Sequence, residues 1–129
     1  MSVADSEALA SRIAALADSK KAAEIVALDM RDLVSYTDFL VICTAGNERQ
    51  AKAINDEVRV RLKNEEGLLP GRVEGSGAAG WIVLDYLDCV LHVFTPEARE
   101  RYRLEELWGD APRVELELPQ EQPRQAASG

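Results

Sequence analysis

The sequence predicts a single α/β domain in which a mixed β-sheet is flanked by helices. Two observations favour this fold class. Segments whose apolar residues recur at helical spacing alternate along the chain with short, continuous apolar runs rich in β-branched residues. In addition, 129 residues, 47% of them hydrophobic, can supply one core of ordinary size but not two. We therefore expect one domain with short ends.

The first element is an amphipathic helix over residues 5–20. Its larger apolar side chains, Leu9, Ile13 and Leu16, recur at helical spacing and alternate with alanines. The helix ends in a basic turn at Lys20 and Lys21, which suits the negative end of the helix dipole.

Two strands and a second helix follow. Residues 24–29 and 39–44 are apolar and rich in β-branched side chains, which predicts buried strands. Asn47 is placed to cap a helix that stops at Gly67. One face of that helix carries Ala51, Ile54, Val58 and Leu62.

The C-terminal half predicts a hairpin and a last helix. A short extended piece around Val73 leads into small residues, 76–80, that suit a flexible connection. Residues 81–86 alternate between two faces, with Trp81, Val83 and Asp85 on one and Ile82, Leu84 and Tyr86 on the other; nearly every residue of 89–94 is apolar. Thr95 and Pro96 predict the start of a helix that runs to about Trp108.

The connection between those two strands is unusual. Two residues, Leu87 and Asp88, separate the strands, so an antiparallel hairpin is expected. A tight turn of this kind requires a positive φ, which leucine adopts reluctantly. Leu87 is therefore predicted to be a strained position.

Charge and composition restrict the functional classes. Fifteen basic and 23 acidic side chains give a net charge of -8, which disfavours binding to phosphate backbones and favours a basic partner. The chain has no apolar run of membrane-spanning length and no signal-peptide pattern, so a soluble, cytoplasmic protein is expected. Cys43 and Cys89 stand far apart within apolar strands, which predicts buried free thiols.

No catalytic or metal-binding arrangement is evident. His92 lies in the most apolar strand without a nucleophile or carboxylate pair at a suitable spacing, so a packed histidine with one satisfied ring nitrogen is favoured over a general base. Asp85 and Asp88 straddle the turn, where they suit a solvated tip or a contact with a basic partner better than a metal. The glycine-rich residues 75–80 open a strand, whereas phosphate-binding loops open a helix.

The two tryptophans have different predicted roles. Trp81 begins a strand beside a glycine-rich connection and shares a face with Asp85. This position suits an interface anchor, and the alternative is a residue at the rim of the core covered by the first helix. Trp108 lies at helical spacing from Leu104 and is predicted to dock the last helix onto the sheet.

Several of these motifs together resemble the ribosomal silencing factors, also called Iojap-like proteins. The resemblance covers residues 4–112 and rests on the segments KAAEIVALDMRDLVSYTDFLVICTAGNERQAKAI, GRVEG and WIVLDYLDCVLHVFTPEARERYRLEELWGDAP. It implies a compact α/β domain similar to nucleotidyltransferase folds but without their catalytic residues. It also implies binding to ribosomal protein L fourteen on the large subunit, which blocks joining of the small subunit and lowers translation when nutrients are scarce.

The resemblance assigns residues 1–112 to the domain and leaves 113–129 as an acidic, Pro- and Gln-rich tail, expected to be disordered, with fraying from about Pro119. No cofactor or metal is expected. Two departures stand out: Leu87 replaces a glycine usual in the family, and Asn47 and Glu48 replace small hydroxyl residues. The predicted contact surface comprises Glu74, Trp81, Ile82, Asp85, Tyr86, Asp88 and Tyr102.

The leading hypothesis is a non-enzymatic steric inhibitor that makes little or no direct contact with nucleic acid or membrane. Two alternatives remain open: an assembly factor for the large subunit, and a metal-dependent enzyme that uses Asp85 and Asp88. A homodimer of the free protein is a further expectation, since exposed apolar groups on a binding face can pair with themselves.

Overall fold

A computed structural model of the chain describes residues 3–116 and residue 118. It confirms the predicted fold class, an α/β domain with one mixed sheet. The helices are α1 (Val3–Ser19), α2 (Glu48–Glu66), α3 (Pro96–Tyr102) and α4 (Leu104–Leu107). The strands are β1 (Ala23–Asp29), β2 (Phe39–Thr44), β3 (Arg72–Ser76), β4 (Trp81–Asp85), β5 (Cys89–Phe94) and β6 (Arg113–Val114).

The six strands described form one sheet in the order β3-β4-β5-β2-β1-β6. β2 and β5 run parallel at its centre, while the other neighbouring strands pair antiparallel. The chain between β2 and β5 contains α2 and the β3–β4 hairpin, so the parallel pair is joined by a long connection, as parallel strands require. This arrangement leaves β3 at one edge of the sheet, with β4 beside it.

The ends of α2 are those that the sequence predicts. Asn47 has an extended backbone, and its side-chain oxygen accepts a hydrogen bond from Gln50 N at 2.8 Å. Gly67 adopts φ 64°, and its N–H donates to the carbonyl of Lys63, while Leu68 N–H donates to that of Leu62. These bonds satisfy backbone groups that the helix leaves unpaired at its ends.

The sheet has a core on each face. α1 and α2 cover one face, where Ile13, Leu16, Phe39, Leu84 and Leu91 are almost completely buried. The other face carries a smaller apolar cluster. Its members are Leu28, Met30, Leu40, Ile42, Val90, Phe94, Ala98 and Ala111, with Trp81, Val83, Leu104 and Trp108 partly buried against them.

The two cysteines are buried and free, as predicted. Burial raises the pKa of both thiols to about 12. Because the thiolate is the reactive form, neither cysteine is activated as a nucleophile. Within the described residues, no helix is both long and apolar enough to cross a membrane.

The predicted last helix is not continuous. It breaks at Arg103, which adopts a left-handed conformation with φ 48° and separates α3 from α4. Thr95 precedes α3 with an extended backbone as expected, but its side chain makes no capping hydrogen bond. After the break, Leu104 and Trp108 pack against the second apolar cluster, which confirms that Trp108 docks this segment onto the sheet.

The ordered domain continues past the expected boundary at residue 112. Arg113 and Val114 form β6, which pairs antiparallel with β1, and Leu118 is buried in the core beneath the helices. The tail prediction was therefore wrong for these residues. These residues are ordered because β6 pairs with the otherwise free edge of β1 and because Leu118 buries apolar surface. The fraying expected from Pro119 falls outside the described residues.

Candidate functional site

The candidate site lies on the open face of the sheet, the face opposite α1 and α2. Strand alternation places Trp81, Val83 and Asp85 of β4 on this face, all partly exposed, as the sequence predicts. The pairing register brings Glu74 of β3 and His92 of β5 level with Val83 on either side. The open face near this edge of the sheet therefore combines apolar, aromatic and acidic groups.

Four rings form a contiguous group, which we call the aromatic group: Trp81, His92, Phe94 and Tyr102. The Trp81 ring centroid lies 4.4 Å from that of Tyr102, 5.0 Å from Phe94 and 5.7 Å from His92. Phe94 is buried, whereas Tyr102 is 44% exposed. Trp81 is thus covered by Tyr102 of α3, and the alternative that the first helix covers it was wrong, because α1 packs on the other face.

His92 fixes the orientation of the tryptophan. The indole Nε1–H of Trp81 donates to His92 Nδ1 at 3.0 Å, which confirms the prediction of a packed histidine with a satisfied ring nitrogen. Burial lowers the pKa of His92 to about 4, although the charge of Asp85 acts in the opposite direction. At neutral pH the imidazole is uncharged and free to accept this bond.

The three predicted acidic residues lie at different distances from the aromatic group: Glu74 is level with Val83, Asp85 is at the far end of β4 from Trp81, and Asp88 is in the turn beyond it. Glu74 is exposed and forms an ion pair at 3.2 Å with Arg72. Arg72 is a basic residue that the contact surface predicted from the sequence does not include. Asp85 is partly buried, and its Oδ1 accepts a hydrogen bond from Leu87 N at 2.8 Å. The backbone carbonyl of Asp88 accepts hydrogen bonds from Asp38 N and Phe39 N, which ties the hairpin to the start of β2.

The strained position predicted in this hairpin is present. Leu87 adopts φ 73° and is 67% exposed. The N–H of Asp88 donates to the carbonyl of Tyr86 at 2.9 Å, so Leu87 is the central residue of a three-residue turn of the rare γ type. This turn sets the separation between Asp85 and Asp88.

Two of the predicted contact residues lie on the other face of the sheet. Ile82 and Tyr86 are each only 4% exposed and belong to the core beneath the helices. Burial raises the pKa of Tyr86 to about 12. Grouping them with Trp81 as surface residues was wrong, because alternate residues of a strand point to opposite faces. Glu74, Trp81 and Asp85 remain on the open side with Tyr102, while Asp88 lies in the turn between β4 and β5.

Glycines position Trp81 at the start of β4. Gly75 adopts φ 79°, and a Cβ there would lie 1.9 Å from the carbonyl oxygen of Trp81. Gly80 also has φ 79°, and a Cβ there would lie 2.8 Å from Thr95 Oγ1. The predicted flexible connection is in fact a tight turn closed by Gly80 N–H donating to Gly77 O at 3.0 Å.

Arg99, which the sequence does not reveal as important, joins α3 to the sheet. Its side chain is 9% exposed. Its guanidinium donates to the Glu24 carbonyl at 2.6 Å and to Thr44 Oγ1 at 2.8 Å, and pairs with Glu105 at 2.9 Å. Nothing in the local pattern distinguishes it from Arg101, the exposed arginine of the same helix. By fixing α3, it also fixes Tyr102 over Trp81.

The acidic residues of the hairpin do not converge on a metal site. In the part of the chain that the structure describes, no three or more His, Cys, Asp or Glu side chains are grouped to hold a metal ion. Together the fold and the site define a small α/β protein whose mixed sheet presents a partly open face bearing aromatic and acidic groups.

Comparison with known proteins identifies the family. The profile described as "Ribosomal silencing factor during starvation" matches residues 3–129, so the chain belongs to the ribosomal silencing factor family. It is 44% identical over 100 residues to the ribosomal silencing factor RsfS of Halalkalibacterium halodurans, covering 78% of this chain and 85% of the relative. It is 38% identical over 105 residues to that of Bacillus subtilis, covering 81% and 88%.

More distant relatives and solved structures agree with this family and fold. The chloroplastic protein Iojap of Arabidopsis thaliana is 36% identical over 123 residues, which cover 94% of this chain and 50% of the relative. A crystal structure of a Chromobacterium violaceum protein superposes with a TM-score of 0.74 at 29% identity, covering 95% of this chain and 98% of that one. A crystal structure of a Bacillus halodurans protein superposes with a TM-score of 0.69 at 39% identity, covering 81% of this chain and 95% of that one.

Proposed function

We propose that this protein silences translation by binding ribosomal protein L fourteen on the large ribosomal subunit and blocking association with the small subunit. Membership of the ribosomal silencing factor family supports regulation of translation through the ribosome. The observation that carries the finer proposal is the aromatic group on the open face, with Trp81 held by His92 and partly covered by Tyr102.

The chemistry of this surface suits a basic protein partner. Trp81 and Tyr102 supply apolar area that a partner can bury, and tryptophan and tyrosine are enriched among residues that dominate binding energy. Glu74 and Asp85 lie on the same face of the sheet as Trp81, Asp88 follows in the turn beyond β4, and the chain carries a net charge of -8. Acidic groups around an apolar centre orient a basic partner and accelerate its association.

The inhibition itself is steric in this proposal. The described part of the molecule holds no grouped metal ligands, and neither of its cysteines is activated. A bound domain of 14.2 kDa occupies space that the small subunit needs, so inhibition requires binding and no chemical step. The action is accordingly cytoplasmic, where ribosomal subunits join.

The decisive experiment is co-sedimentation of Trp81→Ala with purified large subunits. We expect the variant to lose about 2 kcal/mol of binding free energy or more, roughly a 30-fold weaker Kd. Leu107→Ala is the matched control, since Leu107 is an apolar residue 67% exposed outside the aromatic group. Circular dichroism must show that both variants remain folded. Unchanged binding of Trp81→Ala would contradict the assignment of this surface.

We also infer that the free protein pairs with itself through the same surface, because the partly exposed rings lose a partner when the ribosome is absent. Analytical ultracentrifugation should then show a concentration-dependent dimer that Trp81→Ala weakens. A dimer that is unaffected by Trp81→Ala would place its interface elsewhere.

A further inference from the structure

A second surface lies on the opposite side of the β3–β4 edge from the aromatic group. Here α2 and the end of the β3–β4 hairpin enclose an open groove of about 680 Å³. Arg49, Lys52 and Arg59 of α2 line one wall, and Gly75, Ser76 and Gly77 form part of the other. Among the described residues that line it, Glu48 is the one carboxylate, so the groove is basic in an otherwise acidic protein.

Two of the three cations of this groove form no ion pair among the described residues, although the hydrogen bond from Lys52 and, to a smaller extent, the charge of Arg59 lower the pKa of Asp56. Within the described part of the chain, neither Arg49 nor Arg59 has a carboxylate within ion-pair distance, while Lys52 pairs with Asp56 at 2.8 Å. Arg61, on another side of the same helix, pairs with both Glu57 and Glu65. α2 therefore has one side whose charges are neutralised by its neighbours and one side with exposed guanidinium groups available to a ligand.

Asn55 also lines the groove. Asn55 is only 9% exposed, and its Oδ1 is buried without a hydrogen-bond partner among the described residues. The glycines opposite bring backbone rather than side chains to the wall. No aromatic ring is among the described lining residues, so the groove suits a sugar–phosphate backbone better than stacked bases.

We propose that this groove binds the backbone of ribosomal RNA, with Arg49, Lys52 and Arg59 contacting phosphates. Arg49 and Arg59 are ten residues apart, about 15 Å along the helix, which spans several phosphates of one strand. The inference rests on the proposed function, because the large subunit presents RNA beside its proteins.

The two surfaces are compatible with one docked orientation. β3 and β4 form both: Trp81 and Glu74 face the open side, while Gly75 and Ile82 line the groove on the other. A protein contact at the aromatic group and an RNA contact at the groove would thus straddle one sheet edge. The net charge of -8 does not exclude this contact, since the charge of the whole chain does not describe the charge of this local surface.

The test compares Arg49→Ala/Arg59→Ala with a control pair, Lys20→Ala/Lys21→Ala, which removes the same charge from exposed residues outside the groove. Binding is measured to purified large subunits at several salt concentrations and to isolated ribosomal protein L fourteen. On subunits, we expect the arginine variant to bind about tenfold more weakly, with a slope of log K against log salt shallower by about 2. The control pair should keep the slope, and neither pair should alter binding to the isolated protein.

The outcomes separate the two proposals. A salt slope equal to that of the control would overturn the RNA contact while leaving the silencing proposal intact. Equal weakening of the arginine variant on the isolated protein would also overturn it, since the groove would then be a protein contact. A third outcome is that Trp81→Ala leaves binding to subunits and to the isolated protein unchanged while the arginine variant lowers the salt slope. That result would overturn the aromatic group as the protein contact and support the groove as the RNA contact. Failure of the unmodified protein to bind subunits would overturn both.

Discussion

The two faces of the sheet are covered to different extents. On one face, two long helices bury Phe39, Leu84 and Leu91 to less than 2% exposure. On the other, a seven-residue helix and a single turn leave Val83, Trp81 and His92 partly exposed. The first face supplies most of the stability of the domain. The second keeps enough packing to fix its rings in place and enough exposure to bind a partner.

The largest effect expected from this difference concerns Leu91 and Val83, which lie on adjacent strands and opposite faces. Leu91→Ala should lower the free energy of unfolding by about 3 kcal/mol, because it leaves a cavity under the helices. Val83→Ala should cost about 1 kcal/mol or less, because solvent already reaches that site. Urea denaturation measures both. Equal losses would show that the open face is as much a core as the other.

The next prediction tests whether Arg99 holds α3 on the open face of the sheet. Arg99→Met removes the donors to the Glu24 carbonyl and to Thr44 Oγ1, and we expect a loss of about 2 kcal/mol in unfolding free energy. Arg101→Met on the same helix is the control and should change stability by less than about 0.5 kcal/mol, since its side chain is exposed. Nearly equal losses of unfolding free energy in the two variants would show that Arg99 does not hold α3 on the open face.

A third prediction uses pH, because the open face contains the single histidine of the chain. The pKa of His92 is about 4 in the folded protein, below the unfolded value of about 6.5. The unfolded state therefore binds the proton more readily, and the stability due to His92 is present above pH 6.5 and lost as pH falls toward 4.

We expect the contribution of His92 to fall by about 2 kcal/mol between pH 7 and pH 5. His92→Gln keeps an acceptor for Trp81 but does not titrate, so its stability should depend less on pH in this range. The measurement is the urea midpoint of both proteins across that range, with the difference between them isolating His92 from the carboxylates. If the urea midpoints of the two proteins changed in parallel with pH, the lowered pKa of His92 would be contradicted.

The sequence predicts the covered face better than the open one, for a physical reason. Periodicity and caps are local signals, and they locate α2 between Asn47 and Gly67 and give the alternation of β4. The parts that it misses depend on contacts between distant segments. Arg99 meets Glu24 and Thr44 across the fold, β6 adds to the edge of β1, and Arg103 breaks a helix that the local pattern continues.

The smallest expected effect is at Leu87, where a local signal does predict the structure. The residue combines φ 73° with 67% exposure, so its side chain gains little from burial while its backbone is strained. Glycine relieves that strain but loses more conformational entropy on folding. The net result for Leu87→Gly should be a gain of about 1 kcal/mol in unfolding free energy.

Leu87→Ala serves as the control, because it removes the exposed side chain but retains the Cβ that disfavours a positive φ. Its stability should stay within about 0.5 kcal/mol of the unmodified protein. If glycine and alanine stabilise equally, the cost at this position comes from the exposed leucine side chain and not from the turn. If glycine destabilises, leucine contacts hold the hairpin that positions Asp85 and Asp88, and the open face is more tightly packed at its tip than its exposure indicates.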